Sequence, residues 1–121
     1  LFPQLKKAGY YTGLFGKWHH NGPPQTVPTF DEFISYQSSH YKKRNRVLKH
    51  ITEWNEIDGM EFLRNRPNDQ PFALTISFFA THAEDGSPEQ YRPMNSSMWI
   101  YANTGVPRPK TFTQEHLDAL P

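Results

Sequence analysis

Residues 72 to 79 read Phe-Ala-Leu-Thr-Ile-Ser-Phe-Phe, apolar everywhere except Thr75 and Ser77. Successive side chains of a strand point to opposite faces, so a run apolar at both odd and even positions leaves no face suited to water. The stretch predicts a strand covered on both sides, as in a parallel sheet flanked by helices. Upstream, residues 53 to 66 place Trp54, Ile57, Met60 and Leu63 at helical spacing, with Arg64 and Arg66 in the last turn and Pro67-Asn68-Asp69 as the break. Helix, short loop and buried strand form half of an α/β unit, so α/β is the expected fold class.

The remaining segments fit that frame loosely. Leu1, Leu5 and Ala8 share a helical face, Lys6 and Lys7 suit the negative end of its dipole, and Gly9 suits the position just past its end. Tyr10 to Phe15 reads as a short strand closed by Gly16, and the prolines and glycine of residues 17 to 28 make a loop. Thr29 and Glu32 have capping-box spacing, which predicts a short helix or turn over Phe30 to Ile34. Residues 35 to 50 show no period and read as loop. Their basic run Lys42-Lys43-Arg44-Asn45-Arg46 reads as a solvated loop or helix face. Thr113 is placed to cap a last short helix, Gln114 to Leu120.

Composition narrows the function classes. At 121 residues the chain is one domain at most. Thirteen Lys and Arg against twelve Asp and Glu leave a net charge of +1, which points to neither a nucleic acid nor an anionic membrane as partner. Cysteine is absent, which removes disulfides, zinc–thiolate sites and a cysteine nucleophile from these residues. No apolar run approaches the ~18 residues that a membrane span needs. The chain opens on Leu1-Phe2-Pro3 rather than methionine, with no signal-peptide pattern, and reads as a piece of something longer.

The chemistry-bearing residues follow the two strands. Lys17, His19 and His20 come after the first; Thr81, His82, Glu84 and Asp85 come after the second. In open α/β sheets, ligands bind beyond the carboxyl ends of the strands. In extended chain, residues i and i+2 face the same way, so Lys17 and His19 are expected to point together and Trp18 away. If the strands lie near each other, Lys17, His19 and His82 converge, and a lysine with two imidazoles can grip a tetrahedral oxyanion and move protons. Singly, each has an ordinary reading: a surface lysine, a loop histidine bonded to backbone, a histidine at a strand end. A His-x-His or His-His metal site lacks a clear third ligand, so no metal-binding residue is assigned.

The stretch "GYYTGLFGKWH" resembles a signature of the sulfatase family: Gly-Tyr-x-Thr, two residues, then Gly-Lys-Trp-His. "FDEF" at 30 to 33, "IDGMEFLRNRPNDQPFALTISFFATH" and "YANTGVPRP" resemble later family elements in the same order. The resemblance implies an alkaline-phosphatase-like α/β fold, here part of a mixed sheet flanked by helices and incomplete, with residues 1–121 a partial catalytic domain. It implies hydrolysis of a sulfate ester, as a small molecule or glycan, using a formylglycine made from cysteine or serine beside a divalent cation, usually calcium. Lys17 would contact the sulfate and the nucleophile. His19 would hydrogen-bond the formylglycine hydrate and help collapse the sulfated intermediate by taking its proton. His82 would bind the sulfate and assist the leaving group.

The departures are equally specific. The family's nucleophile motif, Cys or Ser followed by x-Pro-x-Arg, does not occur in these residues, nor do its Asp-Asp and Asp-Asn metal-ligand pairs. Calcium and formylglycine are therefore expected in a full-length parent, with their ligands outside this chain. His20, Thr29 and Glu84 stand where leucine, glycine and proline are commoner. Two further readings stay open: a phosphate- or phosphonate-ester hydrolase of the same superfamily, and a non-catalytic, truncated sulfatase-like protein. The resemblance makes an extracellular, periplasmic or lysosomal location plausible for the parent.

Overall fold

The computed structural model describes residues 1–19 and 30–120; His20 and Thr29 lie outside the described residues. Helix α1 (Phe2–Lys7) leads into strand β1 (Tyr11–Gly16), followed by β2 (Glu32–Ser35), a hairpin of β3 (Tyr41–Arg44) and β4 (Val47–His50), helix α2 (Ile51–Asn65) and β5 (Phe72–Ser77). A 3-10 turn (Asn95–Ser97) and α3 (Gln114–Asp118) come last. The fold is α/β, as expected.

Two predicted helix ends are found as read. After α1 the amide of Gly9 bonds the carbonyl of Lys6 and that of Tyr10 bonds the carbonyl of Leu5. This paired closure needs a left-handed residue, and Gly9 supplies it at φ +82°. The Thr113 side chain accepts from the amide of His116 to cap α3.

Strands β2, β1 and β5 form one parallel sheet in that order, with Gly16 opposite both Ser35 and Ser77. The strand covered on both sides is therefore β1, which is buried from Thr12 to Gly16. The expectation that Phe72 to Phe79 would be covered on both sides is corrected: β5 is an edge of the described sheet, and Phe72, Ile76 and Phe78 are exposed. The cause is where α2 sits. Phe62, fully buried, stacks on Tyr11 and meets Phe15 edge-on, which centres the helix over β1. Gly13 makes the slot, since a Cβ there would lie 2.6 Å from the Phe62 ring. Burying one such ring stabilises by roughly 1.5–3 kcal/mol, and β5 is left half covered.

Three local expectations fail for identifiable reasons. Residues 32 to 35 are strand, not helix or turn. The Asp31 carboxylate accepts from the Thr12 amide at 2.7 Å and from its hydroxyl at 3.0 Å, and the Asp31 amide donates to the Thr12 carbonyl at 2.8 Å. That exchange lays the segment beside β1. Burial would raise the Asp31 pKa, but the Lys6 ammonium and the Thr12 donors outweigh it and hold the carboxyl below its ordinary value.

Residues 41 to 50 are a hairpin, not loop. Its turn, Asn45 and Arg46, has φ of +47° and +69°, the pair of left-handed residues that a tight hairpin needs. The basic run is thus strand and turn. Lys42 and Lys43 are exposed while Arg44 turns inward, donating to Asp58 at 2.7 Å and lying over Trp54.

Helix α2 starts earlier than expected and buries Ile51, Trp54, Asn55, Asp58, Gly59 and Phe62, leaving Met60 and Leu63 exposed. Asp58 turns inward because the Tyr36 hydroxyl and Arg44 both donate to it. Burial pushes the Tyr36 phenol well up, and its bond to the Asp58 carboxylate adds to the rise. Tyr36, Ile51, Trp54 and Phe79 close a second core beneath the sheet's carboxyl end.

Candidate active site

The carboxyl ends of β1, β2 and β5 meet at a cleft of about 240 Å³ lined by Lys17, His19, Gln37, Ser38, Phe79, His82, Ala83 and Asp85. Lys17 and His19 follow β1, Gln37 and Ser38 follow β2, and the rest follow β5. The three residues that sequence reasoning assigned to chemistry share this one cleft. Trp18, between two of them, turns away and packs edge-on against Phe30 and Phe33, as the i, i+2 argument requires.

Lys17 is placed by the backbone before it. Gly16 has φ +117°, and a Cβ on it would fall 1.9 Å from the Ser77 carbonyl oxygen. The glycine lets β1 leave the sheet against β5. The Lys17 amide then donates to that same carbonyl at 2.6 Å, and its ammonium comes to rest 5.2 Å from the centroid of the Phe79 ring.

His82 stands in a tight turn, its amide donating to the Phe79 carbonyl at 2.8 Å. Its Nδ1 lies 2.6 Å from the Ala83 carbonyl. A carbonyl can only accept, so Nδ1 carries a proton, and Nε2 is the ring atom able to gain or lose one. The imidazole also lies 5.1 Å from the Phe79 ring, inclined by 32°.

Of the second polar cluster, Asp85 reaches the cleft with His82. Thr81 and Glu84 do not. Thr81 lines a separate, mostly apolar cleft with His40, His50 and Arg92. Glu84 accepts from the His40 amide at 2.9 Å, which holds its carboxyl below the usual value; it ties the loop after His82 to the hairpin. Sequence reasoning missed Gln37, Ser38 and Phe79. Ser38 adopts a left-handed φ of +72°, which no serine pattern signals. Phe79 looked like one more apolar strand residue.

Among the described residues no group of three or more His, Asp or Glu is arranged to hold a metal ion. The described residues therefore offer no such cluster for calcium, and no chemistry is assigned to a metal here.

A family model for sulfatases matches residues 1–105. The chain belongs to the sulfatase family. It is 26% identical to the ulvan-active sulfatase of Formosa agariphila, over 93% of this chain and 26% of that protein. It is 24% identical to the N-acetylglucosamine-6-O-sulfatase of Bacteroides thetaiotaomicron, over 95% of this chain and 21% of that protein. The solved structure of BT4656 in complex with its substrate D-glucosamine-2-N,6-O-disulfate superimposes with a TM-score of 0.62 at 24% identity, covering 91% of this chain and 23% of that one. The fold is thus that of part of a sulfatase, and the chain spans about a quarter of the length of the curated relatives it matches.

Proposed function

We propose that the cleft between Lys17, His19 and His82 is the sulfate-binding part of a sulfuric ester hydrolase, acting on a sulfated carbohydrate. The observation that carries this reading is the meeting of one lysine and two histidines in a single cleft at the carboxyl ends of parallel strands. The relatives named for ulvan and for N-acetylglucosamine 6-O-sulfate point to the carbohydrate class.

In this reading Lys17 is a permanent cation for the sulfate oxygens, and its charge matters most as negative charge gathers on the departing oxygen. His82, anchored through Nδ1–H to Ala83, binds the anion as an imidazolium and delivers the Nε2 proton to the leaving oxygen. His19, also lining the cleft, accepts and returns a proton during turnover. Formylglycine and the divalent cation of the family would come from outside these residues.

The test is a titration of ¹⁵N-histidine-labelled chain with sodium sulfate, against sodium chloride at equal ionic strength. His82 and His19 ring signals should move and saturate with sulfate only. Lys17→Ala should weaken the response about tenfold, the scale of one charge-assisted contact. Shifts of equal size in His40, His50 and His116, or an unchanged response in Lys17→Ala, would refute the reading.

A further inference from the structure

One wall of the cleft is a phenylalanine whose ring lies close to both Lys17 and His82. Phe79 is only 4% exposed and belongs to the core of Tyr36, Ile51 and Trp54. Its ring has the Lys17 ammonium 5.2 Å from its centroid, the His82 imidazole at 5.1 Å, and the His40 ring packed edge-on at 5.0 Å. We propose that Phe79 is a positioning residue for the anion site: its π face holds Lys17 and His82 together so that both address one sulfate. The inference rests on the sulfate-binding reading above.

The physical argument starts from repulsion. An ammonium and an imidazolium at one anion repel each other until the anion arrives, and flexible side chains would drift apart. An aromatic face carries negative quadrupole charge and attracts a cation within about 6 Å of its centroid. Phe79 offers that attraction to both groups while its edges are fixed by the core. A leucine, smaller than the ring, could fill part of the core but could not supply the charge distribution.

The test therefore keeps shape and changes electronics. Phe79 is replaced in the full chain by 3,4,5-trifluorophenylalanine, which fills nearly the same space with a weakened negative face, and separately by leucine. Sulfate affinity is read from the histidine titration. Ring-current shifts of the Lys17 side-chain protons report whether the ammonium arm still lies over the ring.

The expected result is sulfate binding about three- to tenfold weaker in the trifluoro variant, with its melting temperature unchanged and the Lys17 shifts reduced. The trifluoro variant gives the decision even where Phe79→Leu fails to fold. Unchanged affinity in the trifluoro variant, with wild-type binding that still depends on Lys17, would overturn the role of Phe79 alone. Absence of saturable, Lys17-dependent binding in the wild-type chain would defeat the sulfate reading and this inference with it.

Discussion

Gly16→Ala is the sharpest single perturbation of the site, because it touches no cleft-lining residue. At φ +117° a residue with a Cβ is strained, by about 1–3 kcal/mol for a sparsely populated backbone region. The new methyl would also sit 1.9 Å from the Ser77 carbonyl oxygen. That oxygen is backbone, and it already accepts from the Lys17 amide, so relief requires β1 and β5 to part at their carboxyl ends. Losing that hydrogen bond adds about 1 kcal/mol, for a total of roughly 2–4 kcal/mol. Gly9→Ala is the matched control. Its φ is +82° and nothing lies within 4 Å of the added carbon, so it carries a dihedral cost of about 1 kcal/mol and no collision. Urea unfolding followed by tryptophan fluorescence should separate the two variants by at least 1 kcal/mol, and sulfate titration should find Lys17 displaced in Gly16→Ala only. Equal destabilisation by the two substitutions, or an intact sulfate response in Gly16→Ala, would refute the claim that this close approach sets the position of Lys17.

Three further outcomes are expected. Stability should fall as pH drops below the ordinary histidine range. Burial pushes the folded His50 pKa down, and its Nδ1 accepts from the Thr52 amide while Nε2 donates to the Arg92 carbonyl. The unfolded chain then binds more protons below about pH 6.5, so acid favours unfolding, and stability is full only above that pH. Melting between pH 7.5 and 5.5 should show a shallower decline for His50→Asn, which retains a capping acceptor; identical slopes would exclude His50 as the source. Asp58→Ala should destabilise by about 3 kcal/mol in urea, since it leaves the buried Tyr36 hydroxyl and the partly buried Arg44 without their shared acceptor; a loss under 1 kcal/mol would mean that water replaces the carboxylate. The chain alone, with calcium supplied, should not hydrolyse an aryl sulfate above the buffer rate, because these residues offer no formylglycine precursor motif; turnover abolished by His19→Ala would overturn that expectation.

The α/β class, two of the three parallel-sheet strands (β1 and β5) and the ends of α1 and α3 were legible because each rests on short-range chemistry: a glycine in left-handed backbone, a threonine cap, a run of apolar residues. What escaped depends on partners distant in sequence. Asp31 looks like part of a helix cap until Thr12 is beside it. Arg44 looks solvated until Asp58 faces it. The start of α2 was hidden for another reason. His50 is an uncommon cap, although Glu53 three residues on, accepting from the His50 amide at 3.0 Å, completes the box that a serine or threonine would have announced. A charge scan assigns Asp58 and Arg44 to water. Their mutual neutralisation inside the fold is a tertiary fact.

The site divides along the same line. Lys17 and His19 could be read together because two-residue spacing in extended chain fixes their common direction, and Trp18 confirms it by packing the other way. That His82 joins them follows from register: Gly16 stands opposite Ser77 in one direction and Ser35 in the other, so the residues just past those three positions emerge at one level of the sheet. A sequence shows where a strand ends; it does not show which strand ends share a level. Gln37 and Ser38 enter the cleft only through that alignment. Phe79 was hidden by its own character, since an apolar residue at a strand end is ordinarily core. It is core here too, and the same ring lies against Lys17 and His82. On the proposed reading hydrophobic packing and anion recognition meet in one side chain, so substitutions that preserve its bulk but not its π face should leave the fold standing and loosen the site.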